Sequence, residues 1–366
     1  MAWSNSPPAK SKLASSASSS GGGEASADAK SDPPRRPTIA LSGDRLVYLG
    51  ERLGRGNASV VLSGILESSH GIRRRVAVKV IDAVAHDEQE QVLPAILEAL
   101  QQAAQVNHPN VATVYEVTME GHAPVVISEL IEGRSLEAFI DAYARVGRKI
   151  PPDLALFIGT EIAEGLAGAR DTRSLEGALL NLIHGEPSGR DVLISWNGEV
   201  KITDFGVAQA TRIASGVRNI RSFARRAATL SPEVAKGRRP DARSDVFAVG
   251  MILREMLVGP RWPASINDQD AFARVRAGDM DMDVLAPRLY EPIAAILTRA
   301  LEVEPSNRFP HAGALAFELR RASLPLGVGD NRIFLQHAMR DIFAVASEDD
   351  TEIEPDKTAP ARHSRH

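Results

Sequence analysis

The apolar pattern of this chain changes period once. From Leu46 to Ser128 it runs in short β-branched stretches: Val60–Leu62, Val76–Ile81, Val111–Tyr115 and Val125–Ile127. Runs of this length and composition read as strands. One stretch, from about Leu93 to Val106, interrupts them as a helix. Beyond Gly133 the apolar spacing becomes helical, in Leu154–Ala169, Val246–Val258, Ile293–Leu301 and Ala312–Leu319. A strand-rich part followed by a helix-rich part predicts an α+β chain of two lobes. The first is a small sheet lobe with one helix, and the second is larger and helical. At 366 residues the chain can give each lobe its own core. No internal repeat is visible.

Both ends differ from the middle. Residues 1–42 are rich in Ser, Ala, Gly and Pro, including Ser15–Gly23. Such a segment buries too little apolar surface to offset its ordering entropy and reads as a disordered tail. Residues 325–346 read as a C-terminal helical extension. Residues 347–366, with Glu348, Asp349, Asp350, Glu352 and Glu354, read as a solvated charged tail. A net charge of −4 shows no nucleic-acid footprint, and the absence of cysteine excludes disulfides and thiolate metal sites. No apolar run is long enough to span a bilayer, and no apolar segment follows Met1 as in a secretory signal. The expectation is a cytoplasmic protein with no membrane partner.

Leu53-Gly54-Arg55-Gly56-Asn57-Ala58-Ser59-Val60-Val61 contains Gly-x-Gly-x-x-Ser. A dinucleotide site would need a helix to start here. A β-branched strand follows instead, which favours a glycine-rich hairpin laying backbone N–H groups over phosphates. Ser59 is small enough to let the backbone approach. Val76-Ala77-Val78-Lys79 then places a lysine on a strand, where an ordinary lysine would be a solvated edge residue. Behind a glycine hairpin, Lys79 can hold phosphates while pairing with a helix glutamate. Glu98 is the nearest candidate for that partner. Asp204, in Val200-Lys201-Ile202-Thr203-Asp204-Phe205-Gly206, supplies a metal-binding carboxylate.

With these pieces in order, the stretch from about Tyr48 to Leu324 resembles the Hanks-type Ser/Thr protein kinases of bacteria. The resemblance implies a bilobal protein kinase domain over 43–324, with an N-lobe (43–129), a hinge (129–133) and a C-lobe (134–324). It also implies ATP and Mg²⁺, or Mn²⁺ in its place. Glu129-Leu130-Ile131-Glu132-Gly133 matches the hinge, so Ala77, Glu129 and Ile131 join Leu53–Ser59, Val61, Lys79 and Glu98 as nucleotide-side residues. Glu98 falls one residue early against the family spacing. Ser231-Pro232-Glu233 matches the end of the activation segment, and Arg308 matches the arginine that pairs with its glutamate. Ser244–Gly250 looks like the buried helix whose aspartate, Asp245, anchors the catalytic loop.

The catalytic loop, Ile183-His184-Gly185-Glu186-Pro187-Ser188-Gly189-Arg190-Asp191, departs from the family pattern. Glu186 stands at the catalytic aspartate, keeping a carboxylate that can orient or deprotonate a hydroxyl. Its extra methylene moves that group by about 1.5 Å, and an error of about 1 Å can cost on the order of 10²-fold in rate. Asp191 replaces the asparagine that holds the second metal; oxygen ligation remains, but the amide donor is lost. Gly185 replaces the arginine that receives activation-loop phosphate, leaving Ser215, Ser222 or Thr229 without an obvious receptor, although Arg190 is nearby in sequence. His184 reads as a packing residue. Arg212, Arg218, Arg221, Arg225 and Arg226 make the activation segment basic, a feature of either a docking site for an acidic partner or a solvated loop.

The resemblance therefore implies a slow or specialised protein Ser/Thr kinase acting through Lys79, Glu186 and Asp204, with Asp191 and Asp204 on the metal. The alternative is a pseudokinase, a nucleotide-binding scaffold that regulates a partner protein without transferring phosphate. A small-molecule phosphotransferase fits less well, because Ser231–Glu233 and Arg308 are protein-kinase features.

Overall fold

The computed structural model of the chain describes residues 37–56, 59–81, 89–206, 228–263, 265–279, 289–326 and 330–349. Residues 1–36, Asn57, Ala58, Ser215, Ser222, the five activation-segment arginines and residues 350–366 lie outside them. Among the described residues no helix is long and apolar enough to cross a membrane.

The N-lobe is a six-stranded antiparallel sheet made of β1 (Thr38–Leu41), β2 (Arg45–Gly56), β3 (Ser59–Glu67), β4 (Arg73–Ile81), β5 (Val114–Glu120) and β6 (Ala123–Glu129). The strand order is β1-β2-β3-β4-β6-β5. β1 corrects the expected tail boundary at 42. Its Ile39 and Leu41 alternate inward and are buried, giving this strand an apolar face that the Ser/Gly-rich residues before it lack.

The two-residue period of β4 gives it two unlike faces. Val76 and Val78 enter the lobe's core with Val47, Val125 and Ile127, which leaves Ala77 and Lys79 on the other face. The register of β2 on β3 breaks between Leu49 and Arg52 and again between Arg52 and Gly54. Irregularities of this kind bend a strand. Beyond them Gly54 pairs with Val61, which in turn pairs with Lys79. The helix expected from Leu93 to Val106 is α1 (Gln89–Ala103). Its buried Ile96, Ala99, Leu100 and Ala103 form one helical stripe.

The C-lobe holds a small sheet, β7 (Gly133–Ser135), β8 (Val192–Ser195) and β9 (Val200–Ile202), in that order. Its helices are α2 (Leu136–Arg145), α3 (Pro152–Arg170), α4 (Pro232–Ala235), α5 (Ala242–Val258), α6 (Asp268–Ala277), α7 (Glu291–Ala300), α8 (Ala312–Ser323) and α9 (Asn331–Asp349). α5 is buried almost all round, as a central helix must be. A capping box starts it, with Asp241 and Ser244 bonding each other's backbone N–H groups. α9 begins later than the expected extension and continues past Ala346 to Asp349. Its Leu335, Met339, Ile342 and Ala346 belong to the same core as α2, α3 and α5.

Candidate active site

The loop from Ile183 to Asp191 is held from below by α5. The Asp245 carboxylate accepts the His184 N–H at 3.0 Å and the Gly185 N–H at 2.7 Å. Gly185 has φ +89°, a conformation that a side chain would strain. Glycine in place of the expected arginine therefore suits the turn that aims both amides at Asp245. His184 is buried, donates from Nε2 to the Thr203 carbonyl at 3.0 Å, and packs edge-on against Phe205 with centroids 5.0 Å apart. Glu186, the next residue after this anchor, is half-buried.

The far end of the loop is tied to α2 and to itself. Glu137 donates its N–H to the Gly189 carbonyl at 2.9 Å, and its carboxylate takes Arg190 Nε at 2.9 Å. Arg190, the loop's only cation, is thus engaged by α2. Ser188 donates to Asp191 Oδ2 from its N–H at 3.0 Å and its hydroxyl at 2.7 Å. The Asp191 carbonyl receives Thr203 N–H at 2.7 Å, which locks the loop to the residue before Asp204.

Lys79 crosses between the lobes to pair with Asp204. Asp204 holds φ +69° although it carries a side chain, the kind of local strain that gathers at functional sites. Burial pushes the Asp191 carboxyl up, and the charge of Asp204 adds to the rise, while His184, the Ser188 hydroxyl and Lys79 oppose it. Asp191 and Asp204 thus bring two carboxylates to the neighbourhood of the Lys79 ammonium. Among the described residues no group of three or more His, Cys, Asp or Glu forms a metal cluster. A pair of carboxylates suits a hard divalent metal, which takes its remaining ligands from water and phosphate oxygens.

Glu98 is not the partner of Lys79 in this structure. It lies exposed on α1 and accepts Gln102 Nε2 at 3.2 Å. The inward position is Ala99, which is 4% exposed. A Cβ placed on Gly206 would stand 2.6 Å from the Ala99 carbonyl, so this turn of α1 rests on the Asp204 element. One residue is about 100° of helix rotation, and the one-residue offset in spacing was the visible sign of it. Thr229, one of the expected phosphoacceptors, is 5% exposed, so its hydroxyl is not presented.

Of the other nucleotide-side residues, Leu53 is exposed and Gly54 lies on β2 across from Val61. Arg55 and Gly56 end β2, with Gly56 paired to Ser59. Ala77 pairs with Ser128 beside the hinge, and Ile131 is half-buried. Glu129 accepts Lys201 Nζ at 2.9 Å and the Thr113 N–H at 3.2 Å, tying the hinge to the strand that leads into Asp204. Lys201, Ser188 and Glu137 escaped the sequence reading. Only Ser188 leaves a local signal, the Ser-x-x-Asp spacing of a side-chain cap.

Beneath the site, Arg308 Nη1 and Nη2 each donate at 2.8 Å to the two oxygens of Glu233. Ser244 Oγ donates to the same carboxylate at 2.8 Å. Burial disfavours the charge on Glu233, but Arg308 and Ser244 outweigh it and hold the carboxyl below the usual range.

The order of these parts defines a protein kinase domain. Residues 47–316 match the profile of the family described as protein tyrosine and serine/threonine kinase, and the chain belongs to it. It is 29% identical over 280 residues to the serine/threonine-protein kinase PknB of Mycobacterium leprae, covering 75% of this chain and 42% of that protein. To the tyrosine-protein kinase MasK of Myxococcus xanthus it is 26% identical, covering 73% of this chain and 41% of that one. The serine/threonine-protein kinase PknL of Mycobacterium tuberculosis is 27% identical, with 82% of this chain and 71% of PknL covered. The chain thus spans about two fifths of the length of PknB and MasK.

Proposed function

We propose that the chain is a protein Ser/Thr kinase that moves the γ-phosphoryl group of ATP to a protein hydroxyl, slowly because of its altered loop. The observation that carries this is the Lys79–Asp204 pair, assembled from both lobes next to Asp191. Lys79 would orient the α- and β-phosphates, and backbone N–H groups of the β2–β3 hairpin would cover them. Asp204 and Asp191 would hold Mg²⁺, or Mn²⁺ in its place, which neutralises charge on the phosphate oxygens when bound. Glu186 would orient the substrate hydroxyl and accept its proton as the oxygen attacks phosphorus and ADP leaves. The substrate is a protein; no nucleic-acid or membrane partner enters this reading, and ATP dependence and the lack of cysteine fit the cytoplasm.

The test is incorporation of labelled phosphate from Mg-ATP into a generic protein substrate and into the chain itself. Wild type should incorporate it on Ser or Thr, and Lys79→Met should fall to background. Equal signals from the two proteins would remove the kinase reading. If Mg-ATP raised the melting temperature without phosphate transfer, the chain would be a nucleotide-binding regulatory scaffold instead.

A further inference from the structure

α9 lies beyond residue 316, where the family match ends, yet it reaches Arg134, the residue directly after the hinge. Its first turn closes on the β8–β9 hairpin. Arg332 donates to the Asn197 carbonyl at 3.2 Å and to Glu199 at 2.7 Å. A Cβ on Gly198 would stand 2.2 Å from the Arg332 carbonyl oxygen, so the approach requires glycine. Further along, Phe343 meets Trp196 edge-on with ring centroids 5.8 Å apart. The Arg134 guanidinium covers both rings, 5.2 Å from Trp196 and 5.8 Å from Phe343.

Arg134 and Trp196 are also hinge neighbours. Arg134 is the middle residue of β7, directly after the hinge, and the Trp196 N–H donates to the Glu132 carbonyl at 2.9 Å. The Glu132 side chain pairs with Arg75 on β4, the strand that carries Lys79. In the same segment Ser135 caps α2, and Glu137 holds Gly189 and Arg190 of the catalytic loop. The six residues from Glu132 to Glu137 therefore connect α9 to the nucleotide side and to the loop. A helix needed only for core burial would not have to meet the hinge through a shared cation.

We infer that α9 positions the hinge through the Arg134–Trp196–Phe343 stack, making these three positioning residues for the nucleotide site. The inference rests on the reading of that site as nucleotide-binding, so its first and deciding test is made without nucleotide. Hydrogen exchange is followed in the hinge segment 129–135 of the full chain. Phe343→Ala and Arg134→Ala should each speed hinge exchange about threefold to tenfold, the loss of one cation–aromatic or ring contact. Arg134→Lys, which keeps the charge and loses the flat stack, should do the same if an alanine variant fails to fold. Phe343→Tyr should restore the wild-type rate. Arg148→Ala is the control: it breaks the 2.7 Å pair with Asp341 on the same helix but leaves the stack intact. It should leave the hinge rate unchanged. Unchanged hinge exchange in Phe343→Ala, or an equal rise in Arg148→Ala, would overturn the inference whether or not the chain transfers phosphate. As a second readout, Phe343→Ala should raise the KM for ATP and leave kcat within about twofold of wild type.

Discussion

The floor of the C-lobe and the edge of the candidate active site are built from the same kinds of ion pair, satisfied to different degrees. On the floor, Arg308 meets Glu233 through two hydrogen bonds and gives its remaining donors to the carbonyls of Glu302, Arg243 and Val303. The two side chains are 0% and 7% exposed. At the edge, Lys79 meets only one oxygen of Asp204, with 13% and 27% exposed, and Asp204 carries a strained backbone. A closed, fully bonded network holds structure, whereas an open one can exchange partners. Floor substitutions should therefore cost the fold, and edge substitutions should cost rate.

The largest effect should come from Arg308→Ala, which strands a buried carboxylate and should lower stability by about 3–5 kcal/mol in urea denaturation. A loss no larger than that of a surface pair would erase the contrast. Acid tests the same floor. Glu233 has a lowered pKa in the fold, so its contribution is present above the ordinary glutamate range and is lost as pH falls through the folded value. Stability of wild type should thus fall on the acid side of that range, and Glu233→Gln should be weaker at neutral pH with a smaller acid loss. Ser188→Ala frees Asp191 from its hydroxyl donor and should lower phosphotransfer about fivefold, the worth of about one hydrogen bond. Lys79→Met should shift stability by no more than about 1 kcal/mol, since the pair is partly open to water, while removing phosphotransfer. Glu98→Ala should change stability by less than about 0.5 kcal/mol and leave phosphotransfer alone. A large loss of activity there would return Glu98 to the site.

Much of this was legible in the chain, because strand alternation and helical spacing report burial directly. Val76 and Val78 on one face and Lys79 on the other follow from a period of two, and the order of Gly54, Lys79, Asp204, Glu233 and Arg308 carries the kinase fold. β1 was hidden because only Ile39 and Leu41 mark it, beside residues with no apolar pattern. Glu98 was misplaced because residue type outweighed phase, and Ala99 holds the inward position. The links from Lys201 to Glu129, from Arg75 to Glu132, and from Trp196 to α9 join residues distant in sequence. Such pairs leave no periodic or spacing signal, so only the folded chain brings them into view.

In the proposed kinase the added methylene at Glu186 limits the rate. Single-turnover phosphotransfer by Glu186→Asp tests it most directly. Shortening the side chain should bring the carboxylate back to the expected place and raise the rate on the order of 10-fold to 10²-fold, with ATP affinity unchanged. A Glu186→Asp rate no higher than wild type, with the fold intact, would contradict the account.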